Sequence, residues 1–346
     1  MKVARFYAPG DVRIEQAPEP EPGPDELKLR VRNCSACGTD LKIYRHGHHH
    51  IDPPRVLGHE IAGEVVATGG GTTGFVPGDR VQVIAAIPCG ECAVCKRGRP
   101  SVCPDQRSMG YHFDGGFAEH VIVPENVLRV DGVTAIPDGV GFDEASVAEP
   151  LACVLNGQEL AGVGPGDVVV VMGAGPIGCL HTRLARARGA AAVFLVEPNP
   201  GRLARAAQLV GPDAAIDASA ADPVAEVLRL TDDVGADVVI TAVAAGQAQE
   251  QAVRMAARSG RISFFGGLPK DAPIIGCDSN LVHYRELSIV GANGSAPRHN
   301  KRALELIAAG EVAVRDLITH RLGLDGVLEA IETIRSGAAI KVTIEQ

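Results

Sequence analysis

The sequence predicts an α/β protein of two domains, the first rich in β-structure and the second a doubly wound parallel sheet. Three observations carry that expectation. The first third of the chain is a series of short apolar–polar alternations punctuated by Gly and Pro. From about Gly166 onward, continuous apolar runs alternate with segments of helical periodicity. The 346 residues exceed what one ordinary core organises, and the 46% that are apolar suffice for two.

In the first domain, Glu26–Arg32, Glu60–Ala67 and Asp79–Ile84 alternate with period two and run into turn residues, as half-buried strands do. Pro18–Pro24 is a short loop between them. In the second, Asp167–Met172 is an unbroken apolar run, the pattern of a strand covered on both faces. Ile177–Gly189 is expected to be helical, Ala192–Glu197 a second strand and Arg202–Val210 a second helix. Ala236–Thr241, Arg261–Phe265 and Leu287–Gly291 continue the alternation, which makes βαβ units and a parallel sheet. From Pro297 the tail holds two amphipathic helices and a final strand, Ile340–Ile344. The expected division is residues 1–152 and 153–296, with 297–346 returning to complete the first domain.

With no tryptophan and 3% aromatic residues, both cores must be built from Val, Ile, Leu and Ala. A net charge of −9 argues against nucleic acid, whose phosphates require a basic face. No apolar run approaches the roughly 20 residues that cross a bilayer, and the beginning of the chain lacks the apolar core of a signal peptide. A cytoplasmic protein without membrane or nucleic-acid partners is expected. In that reducing compartment its nine cysteines are metal ligands or buried thiols rather than disulfides.

Four of them form the strongest local signal, Cys89-x2-Cys92-x2-Cys95-x7-Cys103. Four thiolates at this spacing close tetrahedrally on one Zn²⁺ with Zn–S of about 2.3 Å, and a saturated shell marks a structural site. A second signal is Gly173-x-Gly175-x-x-Gly178, lying with Pro176 and Ile177 between an expected strand and an expected helix. Glu197 follows about 20 residues later, where an acid meets the adenosine ribose of a dinucleotide. The glycines admit the pyrophosphate to the helix N-terminus. An acid at 197 repels a 2′-phosphate, so NAD is expected over NADP. Arg202 either lies against the ribose or is a solvated helix charge.

Three further segments carry ligand-type residues: Cys37-Gly-Thr-Asp40, His59-Glu60 and Glu149-Pro150. Each alone is ordinary, and their separation is too long for a local ligand motif. Taken in order with Gly78-Asp-Arg-Val, the cysteine quartet, Gly115-Gly-Phe-Ala-Glu and the glycine motif, they resemble the zinc-containing medium-chain alcohol and polyol dehydrogenases. The resemblance spans essentially the whole chain, and Glu149 places it with the sorbitol and threonine dehydrogenase branch. It implies a GroES-like catalytic domain, a Rossmann-type NAD domain and an active site in the cleft between them.

The resemblance further implies two zinc ions per chain. Cys37, His59 and Glu149 would hold the catalytic one, with Glu60 behind the metal or exchanging into its shell. Asp40 would orient His59, or serve only as a turn cap. Thr39 would accept the hydroxyl proton of a secondary alcohol while its hydride passes to NAD. Lys341 would reach the pyrophosphate, or else be a surface lysine at a strand edge. A homodimer or homotetramer is implied as well.

Two departures bear on the substrate. Many relatives have a histidine where this chain has Lys42, and His46 is a candidate to finish the proton relay instead. The run His48-His49-His50 reads as a solvated loop at the mouth of the cleft. The Arg-Tyr pair of sorbitol dehydrogenases is missing from Gly291–His299, which argues against sorbitol itself. Small Gly294 and Ser295 would leave a roomier pocket, lined by Tyr111, His112, Asn293 and Arg298. A polyol, cyclitol, sugar or amino-sugar conjugate suits that pocket. A β-hydroxy amino acid such as threonine is the alternative substrate, and a noncatalytic NAD-sensing or structural protein on the same fold is the alternative role.

Overall fold

The strand Leu27–Ala36 is the spine of the first part of the chain, with Leu27, Leu29, Val31 and Cys34 all without solvent exposure. In the computed structural model, which describes residues 1–346, it pairs antiparallel with Glu60–Thr68 on one side. On its other side lie His120–Val123 along its first half and Lys341–Glu345 along its second. The full order is Val133–Ala135, Arg80–Val83, Glu60–Thr68, Leu27–Ala36, Lys341–Glu345, Ile318–Gly323, with His120–Val123 off that path. Lys2–Ala8 stands between Asp11–Gln16 and Arg55–Val56 in a smaller sheet. Phe6, Leu29, Ile61, Val83, Phe117, Val121, Val342 and Ile344 join one core, each such side chain stabilising the fold by roughly 1.5–3 kcal/mol.

The chain divides into two compact units, residues 1–152 with 294–346, and residues 153–293. The tail therefore rejoins the first unit slightly ahead of the expected 297. It contributes the helices Pro297–Ala308 and Val327–Ser336, the final strand, and the strand Ile318–Gly323, which the sequence reading did not anticipate. Several helices also escaped it, two of which carry site residues. Gly38–His46 opens on poor helix formers and is nucleated by its cap, the Asp40 carboxylate accepting the Cys37 N–H at 2.8 Å. Ala148–Leu160 carries Pro150 in its first turn, where the missing N–H costs nothing.

The second unit holds six parallel strands in the order Ala214–Asp217, Ala192–Glu197, Val168–Met172, Ala236–Thr241, Ala256–Phe264, Ser288–Gly291. In chain rank this is 3-2-1-4-5-6, the doubly wound order whose switch point opens a crevice at the carboxyl ends of the first and fourth strands. Three of its helices, Pro176–Ala187, Pro200–Val210 and Pro223–Leu230, begin on proline, whose fixed φ suits the first helical position. Asn199 and Asp222 cap the latter two, accepting the N–H groups of Arg202 and Val224. No helix is long and apolar enough to cross a membrane.

Candidate active site

Sheet register assembles the first cluster. Ser35 stands opposite Glu60 and Ala36 opposite Val342, so Cys37, Glu60 and Lys341 meet at one end of three neighbouring strands. His59 arrives from the turn before Glu60, where Gly58 has φ +89° and a Cβ would lie 2.8 Å from both Cys34 Sγ and the Phe117 ring. Only glycine fits there. The ligand atoms of Cys37, His59 and Glu60 all lie within 4.8 Å of one another. Glu149, buried in the first turn of its helix, is near enough for its charge to act on Glu60 and Lys341 but stands outside that compact group.

Asp40 is fully buried behind His59, its Oδ1 3.6 Å from Nδ1, and neither atom has a hydrogen-bond partner. Burial works against a charge on His59, but the Asp40 carboxylate and the Cys37 sulfur together outweigh it and hold the imidazole well above its ordinary range. In the neutral ring, the carboxylate facing Nδ1 favours the proton there and leaves the Nε2 lone pair for a metal. Burial pushes Glu60 up to about 7, the Lys341 ammonium opposing and the Glu149 charge adding to the rise. Glu60 Oε1, also buried, has no hydrogen-bond partner. A soft sulfur, an imidazole nitrogen and an underbonded carboxylate facing one point form a donor set suited to Zn²⁺.

The cysteine quartet is equally compact. Cys103 Sγ lies 3.5 Å from Cys89 Sγ and 3.9 Å from Cys92 Sγ. A zinc tetrahedron with bonds of about 2.3 Å has edges of about 3.8 Å, so the four sulfurs already stand near ligating separation. None is in a disulfide. Backbone N–H groups of Cys89, Cys92 and Cys95 donate to Cys103, Cys89 and Cys92 sulfurs at 3.3–3.4 Å. Those from Cys92 and Glu91 draw the Cys89 thiol down to about 7.

In the second unit, Gly175 caps the helix Pro176–Ala187, with Ile177 half-buried in its first turn. A Cβ on Gly178 would fall 1.8 Å from the Gly173 carbonyl oxygen, so strand and helix can approach only with glycine there. Glu197 is buried at the end of its strand, accepting the N–H groups of Ala174 and Asn199, both at 3.0 Å. Arg202 Nη1 lies 3.5 Å from Glu197 Oε1. The acid is thus tied to the glycine turn, a cradle matched to the adenosine end of a dinucleotide.

Comparison with known proteins agrees with this chemistry. The Alcohol dehydrogenase GroES-like domain profile matches residues 23–133, and the Zinc-binding dehydrogenase profile matches residues 176–309. A sorbitol dehydrogenase of Halalkalibacterium halodurans is 33% identical over 98% of this chain and 96% of its own. The chain belongs to the zinc-containing medium-chain dehydrogenases. An L-threonine 3-dehydrogenase of Pyrococcus furiosus is 36% identical to this dehydrogenase, over 93% of the chain and 92% of the relative. A zinc-binding dehydrogenase from Sinorhizobium meliloti 1021, solved bound to NADP, superposes with a TM-score of 0.92 at 33% identity, covering 100% and 99% of the two chains. The dehydrogenase is therefore an oxidoreductase of the GroES-like plus Rossmann architecture, with zinc and a nicotinamide dinucleotide as its cofactors.

The remaining expected residues fall in different places. Thr39 is half-buried in the first turn of Gly38–His46, while Lys42 and His46 are exposed along the same helix. Tyr111 is half-buried, its ring 6.1 Å from that of His59. Lys341 is a correction. It is not a surface lysine but is 3% exposed, donates to the Ala36 carbonyl at 3.1 Å and pairs with Glu60. Its strand is interior to the sheet, not an edge. Ser295 is a second correction. It is buried and accepts from Asn300, itself bonded to Gln82, so it does not widen a pocket. Asn293 and Arg298 are exposed, and the Asn293 carbonyl accepts from Asn156.

Proposed function

We propose that this dehydrogenase oxidises a secondary alcohol borne by a polyol, cyclitol, sugar or amino-sugar conjugate, passing its hydride to NAD and leaving a ketone. The supporting observation is the compact Cys37–His59–Glu60 group, with Asp40 behind the imidazole and Thr39 two residues beyond Cys37. Zinc, when bound, acts as a Lewis acid that lowers the pKa of the substrate hydroxyl, while the nicotinamide accepts the hydride. Cys37 and His59 would hold the metal together with Glu149, or with Glu60. Thr39 would take the hydroxyl proton, and Lys42 and His46, spaced three and then four residues along the same helix, would pass it outward.

Glu197 supports NAD over NADP, since its carboxylate would oppose a 2′-phosphate. The second reading, a β-hydroxy amino acid substrate, is favoured by the 36% identity to a threonine dehydrogenase. We further infer a cytoplasmic homodimer or homotetramer. The strand Ser288–Gly291 is an open sheet edge, and Ile274, Tyr284 and Ile289 are 89%, 71% and 39% exposed.

The test is reduction of NAD or NADP by zinc-loaded protein offered polyols, inositols, free sugars, amino sugars, threonine and simple alcohols. NAD-linked turnover of the hydroxylated ring and chain compounds is expected. Turnover of threonine alone selects the second reading. Silence from protein that binds both zinc and NADH contradicts both.

A further inference from the structure

A row of rings leads outward from His59. Tyr111 follows it, the His48 ring packs edge-on against Tyr111 at 5.0 Å, and His50 lies 5.4 Å from His48 and 5.1 Å from His112. His49 joins the same group, 4.5 Å from His48 and 4.0 Å from His50. The expected solvated loop has thus converged with a second segment, 111–112, beside the catalytic cluster.

So many imidazoles suit either a metal or a ligand that accepts hydrogen bonds, and their own bonding discriminates. The Ser108 N–H donates to His112 Nδ1 at 3.1 Å, and the His50 N–H donates to His48 Nδ1 at 3.3 Å. A ring nitrogen that accepts carries the lone pair, which puts the proton of each neutral ring on Nε2. Metal ligation through Nε2 would need the lone pair there and would set Nδ1–H against a backbone N–H. His112 is therefore a fixed N–H donor. Charge favours the same reading. Arg107 and Arg55 both lie close enough for their positive charge to act on His112, with Asp52 opposing them. His50 and Arg107 are exposed, while Arg55 is engaged by Asp114 at 3.2 Å. Asp52 and Asp114 offset the other charges, so Arg107, which makes no ion pair, is the cation left available to an anion beside the two imidazoles, in a chain of net charge −9.

Building on the dehydrogenase reading of the His59 centre, we propose that His112, His50 and Arg107 form a subsite for an oxyanion, phosphate or carboxylate, at the far end of the alcohol substrate. Tyr111 is the wall along which the connecting carbons lie. The substrate class narrows accordingly to acidic derivatives of sugars, polyols or cyclitols.

Zinc-loaded protein titrated with inorganic phosphate, and separately with acetate, tests this through the imidazole NMR resonances. In parallel, kcat/KM is compared for sorbitol against sorbitol 6-phosphate and for galactitol against its 1-phosphate. Saturable shifts of His112 and His50 are expected, with affinity falling at least tenfold in Arg107→Ala and in His112→Phe. His112→Gln, which restores an N–H donor, should recover most of it. At least a tenfold preference for the phosphate ester, collapsing toward unity in the first two variants, supports the phosphate form. Acetate shifts without phosphate shifts assign the subsite to a carboxylate. Phosphate binding beside a silent alcohol panel supports the subsite and faults the catalytic reading instead. The proposal is overturned if neither anion gives a saturable shift while simple alcohols turn over. It is equally overturned if His112→Phe removes a third equivalent of bound zinc.

Discussion

Replacing Asp40 by asparagine changes one atom in a fully buried side chain and should reverse the tautomer of His59. Asp40 Oδ2 accepts the Cys37 N–H at 2.8 Å, and Oδ1 faces His59 Nδ1 at 3.6 Å. The asparagine keeps its oxygen on Cys37, because an amide NH₂ there would set donor against donor. Its NH₂ then faces Nδ1, which must become the acceptor, and the ring proton moves to Nε2, the nitrogen a metal needs. Losing the outer partner of a ligating histidine costs roughly 10–100-fold in metal affinity, or about 1.4–2.7 kcal/mol. A proton on the ligating nitrogen puts Asp40→Asn at the upper end, about 100-fold. Competition against a graded chelator measures it, with the four-cysteine lobe as an internal reference whose zinc should be unaffected. Asp40→Ala should lose metal affinity and also destabilise the fold by about 1–3 kcal/mol, since it strands the Cys37 N–H. Unchanged catalytic-zinc affinity in Asp40→Asn would refute the orienting role.

Other expectations concern the rest of the molecule. Burial pushes His181 down to about 3, so between that value and its unfolded value near 6.5 the unfolded chain binds a proton the folded one refuses. Its contribution is therefore intact above pH 6.5 and falls as pH drops, by about 2 kcal/mol at pH 5. Paired denaturation curves of wild type and His181→Gln should diverge over that window, and parallel curves would disprove the assignment. Glu197→Ala should lower kcat/KM for NAD about tenfold while leaving or raising that for NADP; an unmoved ratio would mean another residue selects the cofactor. Cys95→Ser should release the structural zinc and lower the Tm while the catalytic zinc stays, as metal analysis would show. Ile289→Lys should dissociate the proposed oligomer in sedimentation, and an unchanged mass would count against an interface at this edge.

What was legible in the sequence was what local spacing decides. The cysteine quartet lies within 15 positions, 89 to 103, and its sulfurs meet as that spacing requires. The glycine motif needed only its flanking strand and helix, and the doubly wound parallel sheet followed from the alternation of apolar runs, whereas its strand order and the edge strand Ala214–Asp217 did not. Cys37, His59 and Glu149 could be picked out by resemblance alone, because the register that brings Ser35 opposite Glu60 is a tertiary fact. Lys341 was misread for the same reason. A terminal strand looks like an edge until Ile318–Gly323 is seen to cover its far side, and only then does the lysine become the buried partner of Glu60. The ring row from His59 to His112 was likewise invisible, since nothing in His48-His49-His50 announces Tyr111 and His112 as neighbours.

The central claim is that an open zinc site at Cys37 and His59 carries hydride transfer from a secondary alcohol. Zinc content and alcohol-dependent NADH formation, measured side by side in wild type and Cys37→Ser, test it most directly. The account predicts about two zinc ions per chain and turnover in the wild type. It predicts about one zinc, retained NADH binding and no turnover in the variant. A Cys37→Ser protein that keeps both zinc ions and its full rate would contradict it.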